Sequence, residues 1–465
     1  MSLLVLPILF ILFLLIISNS RLSVYLIISH IFLFEWLNAF WKVIPKEFTW
    51  ISDFSIFILL VKVLILIGLG KINIRRTNLD KIVLTILFIS FVSFIFSDSN
   101  IITYLLGLRS YFKYIIFFYC LLYLRMNEDY VFFEKIIGLF VFLIFLQVPV
   151  AILQKIFINK RDLICGTLGF NANQELSLIL LAGLAFIFGL YMNNIIKNKF
   201  LFISCCILLL IPIALNGAKA AFFFLPILLI YISRKRLFDS LSSMINAVLI
   251  TFVLICAMIL LGNKYLDEKV AISYLLTNPD YVAEYMFGAD ANRGGVEYTK
   301  GGSLKRGSTF IYNLKIIKDN YFYQLAGVSP GNGSQSLFAN YNGKYYNRKL
   351  NNSRIDFTRI ILEFGILGTL MFAYLLYKCA IMANFLVNKL RNPFWSSVVY
   401  ASEGIIILYM LSTLYIPTFL SDTISFWFWF LMVFIVSEYD KLKFQKIENY
   451  ENFTNNTQSQ AGWRS

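Results

Sequence analysis

Apolar stretches long enough to cross a bilayer follow one another almost without a break, and a chain built this way has few folds open to it. In hydrocarbon no water bonds to exposed peptide groups, so each stretch must satisfy its own backbone as a helix or join a closed barrel. The runs are continuous rather than alternating, which selects helices. They fall near 3–18, 24–43, 54–70, 82–97, 111–124, 130–157, 175–193, 199–215, 218–233, 243–262, 356–387, 397–418 and 422–438. We therefore expect an all-α polytopic transmembrane bundle of about 12–14 spans. A chain that is 59% hydrophobic and 14% charged is no soluble globular protein, whose charged share lies near a quarter.

The first run, Leu3 to Ile17, has no basic segment before it and no Ala-x-Ala site, so it reads as a retained helix. One polar interruption divides the chain into an N-terminal bundle (1–262), a large loop with short amphipathic helices (263–355), C-terminal helices (356–440) and a polar tail (441–465), expected to be disordered from about Asn449. Of the six cysteines all but Cys165 lie in apolar runs, and none lies in the loop, which argues against a disulfide framework or a cysteine metal site. Zincin, phosphate-loop and serine-elbow motifs are absent, and nothing in the sequence calls for a metal or cofactor. The lone His30, deep in an apolar run, reads as a packed helix residue.

A net charge of +15 would suggest nucleic acid in a soluble domain. Here the basic residues sit mostly between apolar runs, where they set topology and meet membrane lipids, so no nucleic-acid partner is expected. Lys71, Arg75, Arg76 and Lys81, then Lys197 and Lys199, then Arg234 to Arg236, then Lys389 and Arg391 mark one side in regular alternation. The positive-inside bias makes that side cytoplasmic, together with the C-terminus, and places 263–355 and the N-terminus outside. Arg109, Lys113, Lys155, Lys160, Arg161 and Lys219 fall against this bias. Either their long side chains snorkel, or together they line an outward cavity for an anion such as a lipid-linked diphosphate.

Several segments carry candidate chemistry. In the loop, Arg306 opens a helical pattern over Ser308–Ile317 that ends before the glycine-rich turn Gly327–Gly333, whose glycines allow close backbone approach and positive φ. The chain re-enters the membrane through Arg354-Ile355-Asp356-Phe357-Thr358-Arg359 and on to Glu363-Phe364-Gly365. Asp356, Arg359 and Glu363 share a helix face, either as a self-neutralising group around Arg359 or as part of a site. Gly365 and Gly368 would admit a neighbouring helix. Asn171 and Asn173 end a turn before a helix and could meet sugar hydroxyls, although Asn173 also suits an N-cap. Asn216-Gly217-Ala218-Lys219-Ala220 sets a cation among small residues at an outer turn.

In order and character these pieces resemble the O-antigen ligase and polymerase superfamily of bacterial inner-membrane glycan enzymes, over roughly residues 100–430. The most specific block is Glu363-Phe364-Gly365-Ile366-Leu367-Gly368. The resemblance implies transfer of a glycan from an undecaprenyl-diphosphate-linked oligosaccharide at the outer face of the bacterial cytoplasmic membrane, without nucleotide sugar or metal. It also implies a flippase and a chain-length regulator as pathway partners. Ligases and many polymerases of that superfamily carry a histidine where this chain has Arg354, which favours a repeat-unit polymerase over a ligase acting on lipid A-core.

On this reading Arg306, Arg354 and Lys219 clamp the diphosphate with Arg359 in support. Asp356 orients the hydroxyl or accepts its proton, Glu363 fixes Arg359, and Arg109, Asn171 and Asn173 complete the substrate contacts. A lipid-linked oligosaccharide flippase or another transporter remains a competing class, although the single large outer loop and the lack of an internal repeat do not favour it. A non-enzymatic scaffold is the third class, disfavoured only by the charges inside the spans. A cysteine introduced at Asn342 should react with a membrane-impermeant maleimide in intact spheroplasts, and one at Lys235 only after lysis; external labelling at Lys235 would invert the topology.

Overall fold

The computed structural model describes residues 5–34, 36–38, 50–74, 76–158, 163–169, 172–237, 304–336, 338–387 and 389–461, with isolated positions between 245 and 260. These residues form fourteen α-helices. They are α1 (Val5–Ser18), α2 (Arg21–Ser29), α3 (Ile51–Gly68), α4 (Asp80–Phe96), α5 (Ile101–Tyr123), α6 (Tyr130–Ile158) and α7 (Asn173–Met192). There follow α8 (Lys199–Asn216), α9 (Lys219–Leu237), α10 (Arg306–Ile317), α11 (Tyr321–Ala326), α12 (Asp356–Leu386), α13 (Pro393–Thr413) and α14 (Asp422–Ala461).

Eight of them, α3, α5–α8 and α12–α14, are long and apolar enough to cross a membrane. Arg21–Phe34 and Ala220–Arg234 are shorter apolar helices, and α1 and α4 have 14 and 17 residues. The chain is thus an all-α, multi-pass membrane protein. The expected span 243–262 lies almost wholly outside the described residues.

Local sequence sets the helix limits. Asn100, Asn198, Asn320 and Asn392 each accept hydrogen bonds from backbone amides of the first turn of α5, α8, α11 and α13, and Pro393 fills the first helical position of α13. Gly217, left-handed at φ 68°, closes α8 and lets α9 turn back two residues later. The pair split by Asn216-Gly217 is therefore two helices.

The run expected at 111–124 belongs to a helix that begins at Ile101, because Arg109, Ser110 and Lys113 are carried inside it. The outer-loop pattern over Ser308–Ile317 is α10, and a second short helix, α11, follows it after the Asn320 cap. Helix α14 runs on to Ala461, into the polar tail, with no glycine or proline before Gly462.

The core is aromatic and centred on α14. Phe426, Trp427, Phe428, Trp429 and Phe430 are buried all round the helix, as expected of a span enclosed by others. Trp427 stacks at a tilt on Phe140 of α6, Phe428 on Tyr409 of α13, and Phe430 on Phe133 of α6.

The helix order gathers segments 97–100, 163–172, 216–218, 304–355 and 414–421 at one end of the bundle. The short loops at 69–79, 124–129, 193–198 and 387–392 lie at the other, where Tyr119 bonds Asp80 and Asn78 bonds Asp440.

At the loop end α12 is broken. Gly365 has φ 66° and ψ −168°, so the helix restarts there, and the carbonyl of Leu362 turns to accept the Val328 amide at 2.8 Å. A side chain at Gly365 would overlap the backbone of Leu325 and Ala326, and one at Gly327 would overlap that of Glu363 and Phe364. The glycine-rich turn thus docks backbone to backbone against the break. The neighbouring helix that Gly365 admits is α11.

Gly365→Ala should cost about 2–4 kcal/mol through positive φ and overlap together, read as a lower melting temperature of the purified protein. Gly138→Ala, in α6 with open space around the new methyl, should leave that temperature unchanged or raise it.

Candidate functional site

The shared helix face of Asp356, Arg359 and Glu363 is fully buried. Nη2 of Arg359 donates to Oδ1 of Asp356 at 2.6 Å, and its guanidinium lies 4.4 Å from the ring centre of Tyr111 on α5. Glu363 does not pair with Arg359, contrary to expectation. It accepts the Tyr111 hydroxyl at 2.8 Å on one oxygen, and the Gly333 amide at 3.0 Å and the Ser334 hydroxyl on the other. Asp356 is also the nearer of the two acids in sequence, and it closes the ion pair within one turn. That frees Glu363 to fix the loop. The second oxygen of Asp356 accepts the amide of Phe419.

Four distant segments meet on residues 415–419. Nε of Arg306, at the start of α10, donates to the Tyr415 carbonyl at 3.3 Å, and its guanidinium lies 3.9 Å from that tyrosine's ring centre. The Asp356 amide donates to the Ile416 carbonyl at 3.3 Å. Beside Tyr415 the two small-residue turns come together. Nδ2 of Asn216 donates to the Asn173 carbonyl at 2.9 Å and to Ser177 at 2.8 Å, and Gln174, Ser177, Ala218 and Ala220 border a small hollow against Tyr415 and Ile416.

Lys219 opens α9 at this point, with its side chain outside the described residues, as is all of Asn171. Asn173 does not cap α7. Ala172 holds the cap position, and the Asn173 side chain accepts from the adjacent Gln174 amide. Arg354 is half-buried two residues before α12. Asn173, Asn216, Arg306 and Asp356 are therefore neighbours at the loop end, and Arg109 is not among them.

The chain matches no protein-family model and no curated protein sequence.

Arg109 lies instead on the wall of a cavity of about 650 Å³, on the far side of segment 415–423. It pairs with Asp53 of α3. Lys113, one turn on, is held by both oxygens of Asp422 at 2.8 and 2.9 Å, by Ser52 at 3.1 Å and by Asp53 at 3.5 Å. Neither cation is available as the free anion-binding charge that the topology exceptions suggested, since Asp53 of α3 pairs with Arg109, and Asp422 of α14 and Asp53 pair with Lys113.

His30 also lines the cavity, from a π-helical stretch, His30–Phe34, that continues α2. Glu175 of α7 lines it too and accepts from Thr423 at 3.3 Å. The sequence reading missed Asp53, Glu175 and Asp422; His30 is buried, as its reading as a packed helix residue expects, and borders the cavity as well. Their signal was acids opening apolar helices opposite two cations four residues apart.

The buried row on α12 stands directly behind this cavity. Ser334 and Phe419 are on its wall, and Glu363 and Asp356 hold them. If Asp356 and Arg359 are an obligatory pair, Arg359→Ala should destabilise the protein by about 3–5 kcal/mol by stranding a buried carboxylate. Adding Asp356→Asn, which keeps an acceptor for the Phe419 amide, should recover at least half of that in thermal unfolding. Strict additivity of the two losses would mean the pair is not coupled.

Proposed function

We propose that this chain polymerises lipid-diphosphate-linked oligosaccharide repeat units by glycosyl transfer, on the extracytoplasmic face of a bacterial cytoplasmic membrane. The reading rests on one observation. Among the segments that carry the resemblance to the O-antigen polymerase and ligase superfamily, Asn173, Asn216 to Ala220, Arg306 and Asp356 gather about residues 415–419 beside a polar cavity, while Gly327 to Gly331 docks on the later part of the same block, at Glu363 to Gly365. The positive-inside bias gives the orientation, because the basic short loops lie at the end opposite this convergence.

In the reaction an acceptor sugar hydroxyl forms a bond to the anomeric carbon as the bond from that carbon to the diphosphate breaks. The diphosphate leaves with the electron pair and the hydroxyl proton passes to a carboxylate or water. The catalytic requirement is to stabilise charge growing on the leaving oxygen, and guanidinium groups fixed in a water-poor site supply this. We assign this role to Arg306, with Arg354 and Lys219 as further candidates, and Asn173 and Asn216 to the sugar side.

Asp356, fully buried and engaged with Arg359 and Phe419, is a positioning residue for segment 415–419. Arg359 and Glu363 act through it and through the glycine-rich turn. Membrane lipids, a flippase that delivers the unit and a chain-length regulator are the expected partners. Arg354 at the position of the superfamily histidine favours polymerase over ligase.

The purified protein should convert a lipid-linked repeat unit into a ladder without nucleotide sugar and in the presence of EDTA. Arg306→Ala and Arg306→Lys should each lose about 2–4 kcal/mol of transition-state stabilisation, since a point charge does not reproduce the planar donor fork. Ladder synthesis at the wild-type rate by Arg306→Ala at normal abundance would remove the clamp, and a strict need for nucleotide sugar would remove the reaction.

A further inference from the structure

We propose that the 650 Å³ cavity is a saccharide subsite for the uncharged acceptor end of a glycan, distinct from the site assigned to Arg306 and resting on the polymerase reading for its place in the reaction. Its size lies within the roughly 300–1,000 Å³ of pockets that enclose small molecules. Its electrostatics select the ligand class. The described lining carries two fixed cations, Arg109 and Lys113, against three carboxylates, Asp53, Glu175 and Asp422. Both cations are bound to carboxylates. A phosphate or uronate entering here would have to displace one of those carboxylates and leave it unneutralised in a low-dielectric wall.

A polyol asks for something else. Vicinal hydroxyls each donate and accept, and an ion pair presents an N–H donor beside a carboxylate acceptor at matching spacing. The pairs Arg109–Asp53 and Lys113–Asp422 offer two such edges on one wall, with Ser110 between the two cations. Flat apolar faces complete the fit. Trp50 is exposed and leans on Phe338 at 5.5 Å, and Tyr341 stands on the same wall, so each can cover the C–H face of a pyranose.

The position suits an acceptor. The first turn of α7 borders both regions, with Glu175 on the cavity and Gln174 on the hollow beside Tyr415. Segment 415–423 divides them, with the Tyr415 carbonyl bound by Arg306 on one side and Phe419 and Asp422 on the cavity on the other.

The test uses full-length protein in nanodiscs carrying Gln335→Cys at the exposed rim of the cavity. It is labelled with a membrane-impermeant maleimide while oligosaccharides of one to three repeat units, released by mild acid from the host's surface glycan, are titrated in. Protection should appear with these fragments and weaken at least tenfold when their primary hydroxyls are oxidised to carboxylates. Asp422→Asn and Trp50→Ala should each shift half-protection at least tenfold. Trp50 is exposed, so its variant reports even if Asp422→Asn does not fold.

No protection by the fragments, or protection as strong by the oxidised ones, overturns the subsite. Ladder synthesis measured on the same preparation separates the two readings. A ladder without protection removes the subsite and leaves the polymerase, and protection without a ladder does the reverse.

Discussion

Every ionised group placed in hydrocarbon has to be matched, and this requirement organises the bundle. Arg359 meets Asp356, Lys113 meets Asp422 and Asp53, and Arg109 meets Asp53. At the other end of α9, Arg234 meets Glu403 of α13 at 3.0 Å. Apart from Asp356 and Arg359, the partners in these pairs come from different helices. Because breaking one strands a charge, each pair acts as a registration point between spans that greasy side chains alone would let slide. Helices α3, α5 and α14 are fixed to one another in this way around the cavity, and aromatic packing fills the space behind them.

The outer loop is held by different means. Its glycine-rich turn approaches α12 and α5 so closely that side chains at Gly327 and Gly331 would collide with their backbones. Glu363 then secures the turn through the Gly333 amide and the Ser334 hydroxyl. The helix break at Gly365 makes this possible, because it exposes the Leu362 carbonyl to Val328. A charge in a span and a break in a span would each be costly alone. Here one docks the loop that the other opens a place for.

The fold class was legible because hydropathy and length alone decide it. The limits of α5 were not, since the apolar run was cut short at Arg109 and Ser110 while the helix reaches back to Ile101, with Asp53 pairing Arg109. The common face of Asp356, Arg359 and Glu363 could be read from spacing, whereas the partner of Glu363 could not. Tyr111 is 252 residues away and announces nothing by itself. Asp53, Glu175 and Asp422 were overlooked for a further reason. Each stands in the first turn of its helix, where an acid already has an ordinary role against the helix dipole, and only the assembled bundle turns them towards one cavity.

Were the proposed polymerase reaction to run here, the charges about segment 415–423 would bear on how two substrates are kept apart. A lipid-linked donor brings a diphosphate, and a growing chain end brings hydroxyls, yet both carry the same sugars. Shape alone would discriminate poorly between them, because each saccharide fits wherever the other does. Electrostatics can discriminate, since the cations on the cavity side of the segment are held by carboxylates and leave an anion no charge to take there. Asp356 bonds that dividing segment at both Ile416 and Phe419, and its own charge is fixed by Arg359. On the proposed reading the buried row on α12 need not touch either substrate to matter, because it fixes the segment that would run between the two proposed sites.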